Sequence, residues 1–293
     1  MPRAKANGIE LEYDTFGDPQ DPTLLLVMGL GAQMIAWPVG LCEQLSARGF
    51  RVVRFDNRDA GLSTFLDEGP QPDLGAILGG DASSAPYLLS DMALDTVGLL
   101  DALGVERAHI VGASMGGMIV QQFAIDHPQR MLSLCSIMSR PGDGVSGNST
   151  PEAGAMLLTP RPADREGAIE AGIRTWRVIG SPDYQPAEPV LRAQVAEAYD
   201  RCNRPDGFGR QFAAILASPD RTPGLREVTA PTLVIHGAAD PLVQPDGGKA
   251  TAAAVPGAEL MLVPGMGHNL PEPLWPEFAD AIAVNAAKAP ANG

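Results

Sequence analysis

The chain has 293 residues, with 21 Lys and Arg against 35 Asp and Glu, a formal net charge of −14 and 45% hydrophobic residues. That balance excludes a phosphate-tracking nucleic-acid surface and a polybasic grip on anionic lipid, both of which need clustered cations. Cys42, Cys135 and Cys202 lie far apart and form no CxxC or His/Cys pair, which argues against a disulfide framework or a zinc site.

The N-terminus, Met1 to Ile9, has no apolar signal-peptide core, and no run approaches the ~18 apolar residues that span a bilayer. A cytoplasmic protein without membrane attachment is expected. Ile9, Leu11 and Tyr13 alternate with polar residues, predicting a half-buried strand. Thr23–Met28 is a continuous apolar run ending in Gly29-Leu30-Gly31, the pattern of a strand buried on both faces. A helix is predicted around Trp37–Ala47, a strand over Arg51–Phe55, and a helix from Leu88 to Leu103 that Gly104 stops. His109-Ile110-Val111 then forms a strand that runs into Gly112-Ala113-Ser114-Met115-Gly116, a helix continues over Gly117–Ile125, and Met131–Met138 is another short strand.

From about Pro141 to Arg226 the pattern changes to helical stripes: Ile169/Ile173/Trp176, Leu191/Val195/Tyr199/Cys202 and Phe208/Phe212/Ile215/Leu216. Strand–helix alternation then resumes with Pro231–His236, a helix near Gly247–Ala254, a strand over Glu259–Val263 and a helix over Trp275–Ala286. The whole reads as a mostly parallel sheet covered on both faces. Residues 1–140 and 227–293 form its core, and 141–226 a helical cap over the strand ends.

Gly112-Ala113-Ser114-Met115-Gly116 is the chain's GxSxG, set between a strand and a helix. A serine on such a turn needs small neighbours two residues away, and the helix behind it aims free N–H groups at a reacting carbonyl. The serine needs a base, and there are four histidines. His109 opens the strand leading to Ser114 and is remote. His127 ends the next helix. His236 reads as a buried histidine bonded to backbone. His268, in the loop Gly265-Met266-Gly267-His268 after the last strand, is the predicted base. Asp240, shortly after the penultimate strand, is the predicted carboxylate partner, and Asp143, after the sixth, is the alternative. Met34, Trp37, Trp176, Phe212, Leu242 and Val243 are candidate pocket linings. No metal or cofactor is predicted, and a homodimer is left open.

Along nearly its whole length the chain resembles the α/β-hydrolase family. The matching segments are Leu24 to Gly31, Asp56-Asn57-Arg58-Asp59-Ala60-Gly61-Leu62-Ser63, Gly112 to Gly116, Pro231 to Gly237 with Asp240-Pro241, and Gly265 to His268. Met28-Gly29, where many relatives have His-Gly, and Asp59, where many have Gly, make it most similar to the aclacinomycin methylesterase group. The resemblance implies an eight-stranded, mostly parallel sheet flanked by helices, with a helical cap inserted after the sixth strand. It also implies an oxyanion hole made by the backbone N–H groups of Leu30 and Met115. Asp56 and Arg58 are read as structural, serving their loop's own turn hydrogen bonds. The expected activity is hydrolysis of a small-molecule carboxylic ester through Ser114, His268 and Asp240. A thioesterase, a carbon–carbon bond hydrolase, a perhydrolase and a non-catalytic receptor are the alternatives. Residues 141–226 hold ten Arg and eleven Asp plus Glu, so the cap is nearly neutral and suits an uncharged, apolar substrate.

Overall fold

The computed structural model describes residues 2–160 and 162–290. Strands β1 (Arg3–Ala6) and β2 (Ile9–Phe16) form an antiparallel hairpin. Its two-residue turn is Asn7-Gly8, with φ of 49° and 80°. Two successive positive φ values suit the Asn-Gly pair and match the twist of the flanking strands. Strand β3 (Thr23–Val27) is buried throughout. A 3-10 turn over Met34–Ala36 leads to helix α1 (Val39–Ser46) and strand β4 (Arg51–Phe55). Helices α2 (Leu74–Leu78) and α3 (Leu89–Ala102) follow, then β5 (Ala108–Ala113), α4 (Met115–Asp126) and β6 (Met131–Ile137).

Helices α5 (Pro151–Leu158), α6 (Arg165–Ile179), α7 (Glu188–Arg201), α8 (Asp206–Ala217) and α9 (Thr222–Leu225) all fall between β6 and β7 (Thr232–Gly237). The chain closes with α10 (Pro245–Ala254), β8 (Glu259–Val263) and α11 (Trp275–Ala286). The sheet order is β1-β2-β4-β3-β5-β6-β7-β8. Pairing is antiparallel at β1–β2 and β2–β4 and parallel from β4 onward.

Side-chain alternation divides the central strands between two cores. Leu25 and Val27 of β3, Val53 and Phe55 of β4 and Ile110 of β5 pack with α3 and α4 on one face. Leu24, Leu26, Val52, Val111 and Ala113 pack with α1 and α11 on the other. A strand sandwiched this way has no polar face, which is why β3 reads as unbroken apolar sequence. Helices α6 and α7 carry a small core of their own, Ile169, Ile173 and Leu191. The sequence reading lacks β1, whose four residues are too short for a periodic signal. It also lacks α2, α5 and α9, of eight residues or fewer.

Candidate functional site

Ser114 joins β5 to α4 at φ 58°, ψ −121°, an unfavourable conformation for a residue with a side chain. The surroundings over-determine it. Its N–H donates to Ile137 O at 2.9 Å. A Cβ at Gly112 would lie 2.2 Å from Gly116 O, and one at Gly116 would lie 2.0 Å from Val27 O. Glycine at both positions is what lets α4 start against the sheet with the serine at its head. Gly29 lies beside it, with room for no more than contact with Ser114.

His268 Nε2 lies 2.9 Å from Ser114 Oγ, and His268 Nδ1 lies 2.7 Å from Asp240 Oδ2. Asp240 Oδ1 accepts the backbone N–H groups of Leu242 and Val243 at 2.9 and 3.0 Å. An ionised carboxylate offers only acceptors, so Nδ1 carries the imidazole proton and Nε2 is free to accept from the serine hydroxyl. Asp240 is 2% exposed and His268 7%. The arrangement is a buried carboxylate orienting an imidazole that faces a serine hydroxyl, the geometry that a nucleophile and its general base require.

The other histidines are engaged elsewhere. His236 Nε2 donates to Val243 O at 2.7 Å, and burial pushes its pKa down, so the ring is neutral and braces the Asp240 turn. His109 Nδ1 meets Ser133 Oγ at 2.8 Å. Asp143 is a turn residue: it accepts from Val145 N, Ser146 N and Ser146 Oγ at 3.0, 2.8 and 2.7 Å.

A cavity of about 1130 Å³ opens over Ser114 and His268. Leu30, Met115, Trp176, Phe208, Phe212, Leu242 and Val243 line it. Met115 begins α4, so its N–H has no carbonyl partner within the helix. Met34 and Trp37 are not lining residues. Both are fully buried, because the 3-10 turn rotates Met34 inward and Trp37 packs in the core beside α1 and α11. Ile35, Ala36 and Pro38 face the cavity in their place.

Asp56 and Arg58 are also more than loop-turn residues. Asp56 accepts from Met34 N and Leu62 N at 2.7 and 2.9 Å and pairs with Arg201 of α7 at 2.7 Å. Arg58 pairs with Asp95 of α3 at 2.6 Å. Arg140 lines the cavity and donates to Asn148 Oδ1 at 3.0 Å. It has no carboxylate at ion-pair distance among the described residues. Behind it, Arg221 donates to Gln121 Oε1 and to Arg140 O, and burial followed by the Arg140 charge lowers its pKa to about 10.

Two side chains that sequence reasoning missed tie the helices between β6 and β7 to this site. Ser181 Oγ accepts from Gly267 N–H at 2.9 Å and donates to Asn269 Oδ1, while His268 N–H donates to Ile179 O at 2.7 Å. Gln211 accepts from Gly31 N–H at 2.8 Å. No pattern marks either residue in the sequence, since each is a lone polar side chain in or after a helical stripe. Among the described residues no cluster of three or more His, Cys, Asp or Glu could hold a metal, and no helix is long and apolar enough to cross a membrane.

Residues 22–163 match the model of the α/β-hydrolase fold family. The chain is 28% identical to rhodomycin D methylesterase DauP of Streptomyces sp. (strain C5), with 96% of each chain covered. It is 29% identical to a 2-hydroxy-6-oxononadienedioate/2-hydroxy-6-oxononatrienedioate hydrolase of Paraburkholderia xenovorans (strain LB400), covering 94% of this chain and 88% of that one. Among solved structures, the enol-lactonase of Burkholderia xenovorans LB400 superposes with a TM-score of 0.73 at 25% identity, over 98% of both chains.

Proposed function

Because this chain is an α/β-hydrolase-fold protein, we propose that it is a serine hydrolase of carboxylic esters, with residues 141–226 as a cap over a core of residues 1–140 and 227–293. The observation that carries the reading is the unbroken hydrogen-bond chain from Asp240 through His268 to Ser114. His268 Nε2 takes the hydroxyl proton as Ser114 Oγ attacks the ester carbonyl carbon. Asp240 stays ionised, fixes the tautomer and stabilises the imidazolium. The backbone amides of Leu30 and Met115 receive the developing oxyanion. Collapse of the tetrahedral adduct breaks the C–O bond, and the departing alcohol takes its proton from His268. Water, deprotonated by the same nitrogen, then attacks the acyl carbon; the carboxylic acid leaves as the C–O bond to Ser114 breaks, and His268 returns the proton to Ser114 Oγ. The similarity to a named methylesterase over 96% of the chain supports an ester as substrate.

Ser114→Ala tests the reading. Turnover of a chromogenic ester is expected to fall at least ~10⁴-fold with the fold retained; residual turnover near that of the wild type overturns it.

The cavity, at about 1130 Å³, holds more than a short-chain ester, and its wall of Trp176, Phe208 and Phe212 suits an apolar one. One observation favours a second substrate class. Arg140 stands half-buried on the cavity wall, with no carboxylate at ion-pair distance among the described residues. A substrate bearing its own carboxylate would supply the counter-charge. Comparing kcat/KM for the monomethyl and dimethyl esters of one dicarboxylic acid decides: a preference for the dimethyl ester supports the apolar class, and a tenfold preference for the monoester supports the anionic one.

A further inference from the structure

Segment Met28–Met34 runs past Ser114 and supplies one wall of the reaction site. Groups from other parts of the molecule anchor it at several points. Met28 O accepts from Asn57 Nδ2 at 2.8 Å, and Met34 N–H donates to Asp56 Oδ1 at 2.7 Å. Gln33 is held from α7: its Nε2 donates to Ala198 O and Cys202 O at 2.6 and 3.1 Å, and its Oε1 accepts from Arg201 at 2.6 Å. Gly31 is held from α8, where Gln211 Oε1 accepts its N–H at 2.8 Å. The other end of the same carboxamide donates to Arg58 O at 2.6 Å, and the Gln211 side chain is fully buried.

The orientation of the peptides between these anchors follows from trans geometry. Ala32 N–H donates to Gly29 O at 3.2 Å. In a trans peptide the C=O and N–H point opposite ways, so the Gly29–Leu30 unit turns the Leu30 N–H away from Ala32. Leu30 itself lines the cavity. The next peptide, Leu30–Gly31, is the weak point. Gly31 has φ +65° and no side chain to restrain it. Its N–H, turned toward α8, is held by Gln211. Phe208 closes off the same side, because a Cβ at Gly31 would lie 2.7 Å from its ring.

We infer that Gln211 is a positioning residue for the Leu30 amide: by capturing Gly31 N–H from the cap, it fixes the peptide on which the oxyanion contact depends. The inference rests on the esterase reading above. It makes the docked end of the cap part of the transition-state machinery. Helices α7 and α8 cannot lift away without releasing Gly31 and Gln33.

The test is kcat per active site, with sites counted by exhaustive fluorophosphonate labelling, in Gln211→Ala and in the volume-conserving Gln211→Met. Misplacing an oxyanion donor acts on the transition state more than on substrate binding. Both variants are expected to lose about ten- to a hundred-fold in kcat with KM within threefold of the wild type. A trifluoromethyl ketone, whose adduct carries the oxyanion, is expected to bind more weakly by a similar factor. A merely structural glutamine would lower Tm and the number of active sites but not kcat per site. A kcat per site within twofold of the wild type in either variant overturns the inference. If Ser114→Ala keeps its turnover, the esterase reading itself fails, which is a separate result.

Discussion

Both carboxylate oxygens of Asp240 accept hydrogen bonds: two backbone N–H groups on Oδ1 and the imidazole on Oδ2. An amide there would present its NH₂ either to those backbone donors, leaving donor against donor, or to the imidazole, where the tautomer would be lost. Asp240→Asn is therefore expected to lower kcat by about 10³- to 10⁴-fold with little change in secondary structure. Asp143→Asn, changed in a turn whose hydrogen bonds go to Val145 and Ser146, is expected to stay within twofold, measured on the same ester. The opposite ranking would transfer the role to Asp143. Residues of this kind are legible because their chemistry constrains the neighbours: Gly112 and Gly116 around Ser114, and Gly265 and Gly267 before His268. Gln211 and Ser181 are not. Their partners are backbone groups distant in the chain, which any sequence supplies.

At the scale of elements, strands and long helices were legible wherever one face or both met the core. β4, β8 and α11 fall on the residues that their apolar pattern indicates. The N-terminal hairpin had a usable signal in Asn7-Gly8, although its first strand is too short for periodicity. How the insertion docks was not legible, since the contacts join residues about 150 positions apart. Arg210 of α8 reaches Asp59 at 2.7 Å, and both side chains are nearly fully buried. Tyr87 Oη and Leu66 N–H share the same carboxylate. Arg210→Met leaves that carboxylate buried without its cation, which is expected to cost roughly 3–5 kcal/mol and to lower Tm by roughly 10 °C. Arg165, paired with Asp200 on the exposed face of α6 and α7, is the control: Arg165→Ala is expected to leave Tm unchanged in the same scan, because solvent-exposed ion pairs contribute little. Equal shifts in the two variants would refute the distinction.

For the whole molecule, the net charge of −14 is unevenly held. Residues 141–226 sum to −1 (ten Arg against eleven acids), so −13 remains on the sheet portion. The arginines of α7 and α8 and the turn between them meet that surplus directly: Arg201 on Asp56, Arg204 on Asp67 and Arg210 on Asp59. The composition that excludes polyanionic partners thus also supplies the seat on which the insertion rests. The order of the three site residues along the chain has a consequence in time. Ser114 precedes His268 by 154 residues, and β7 and β8 must both add to the sheet before the imidazole can reach it. With ribosomes adding about 5–20 residues per second, a growing polypeptide carries its serine for roughly ten to thirty seconds before His268 is made. Throughout that interval the Ser114 hydroxyl is an ordinary alcohol, without the imidazole that the folded chain sets 2.9 Å from it.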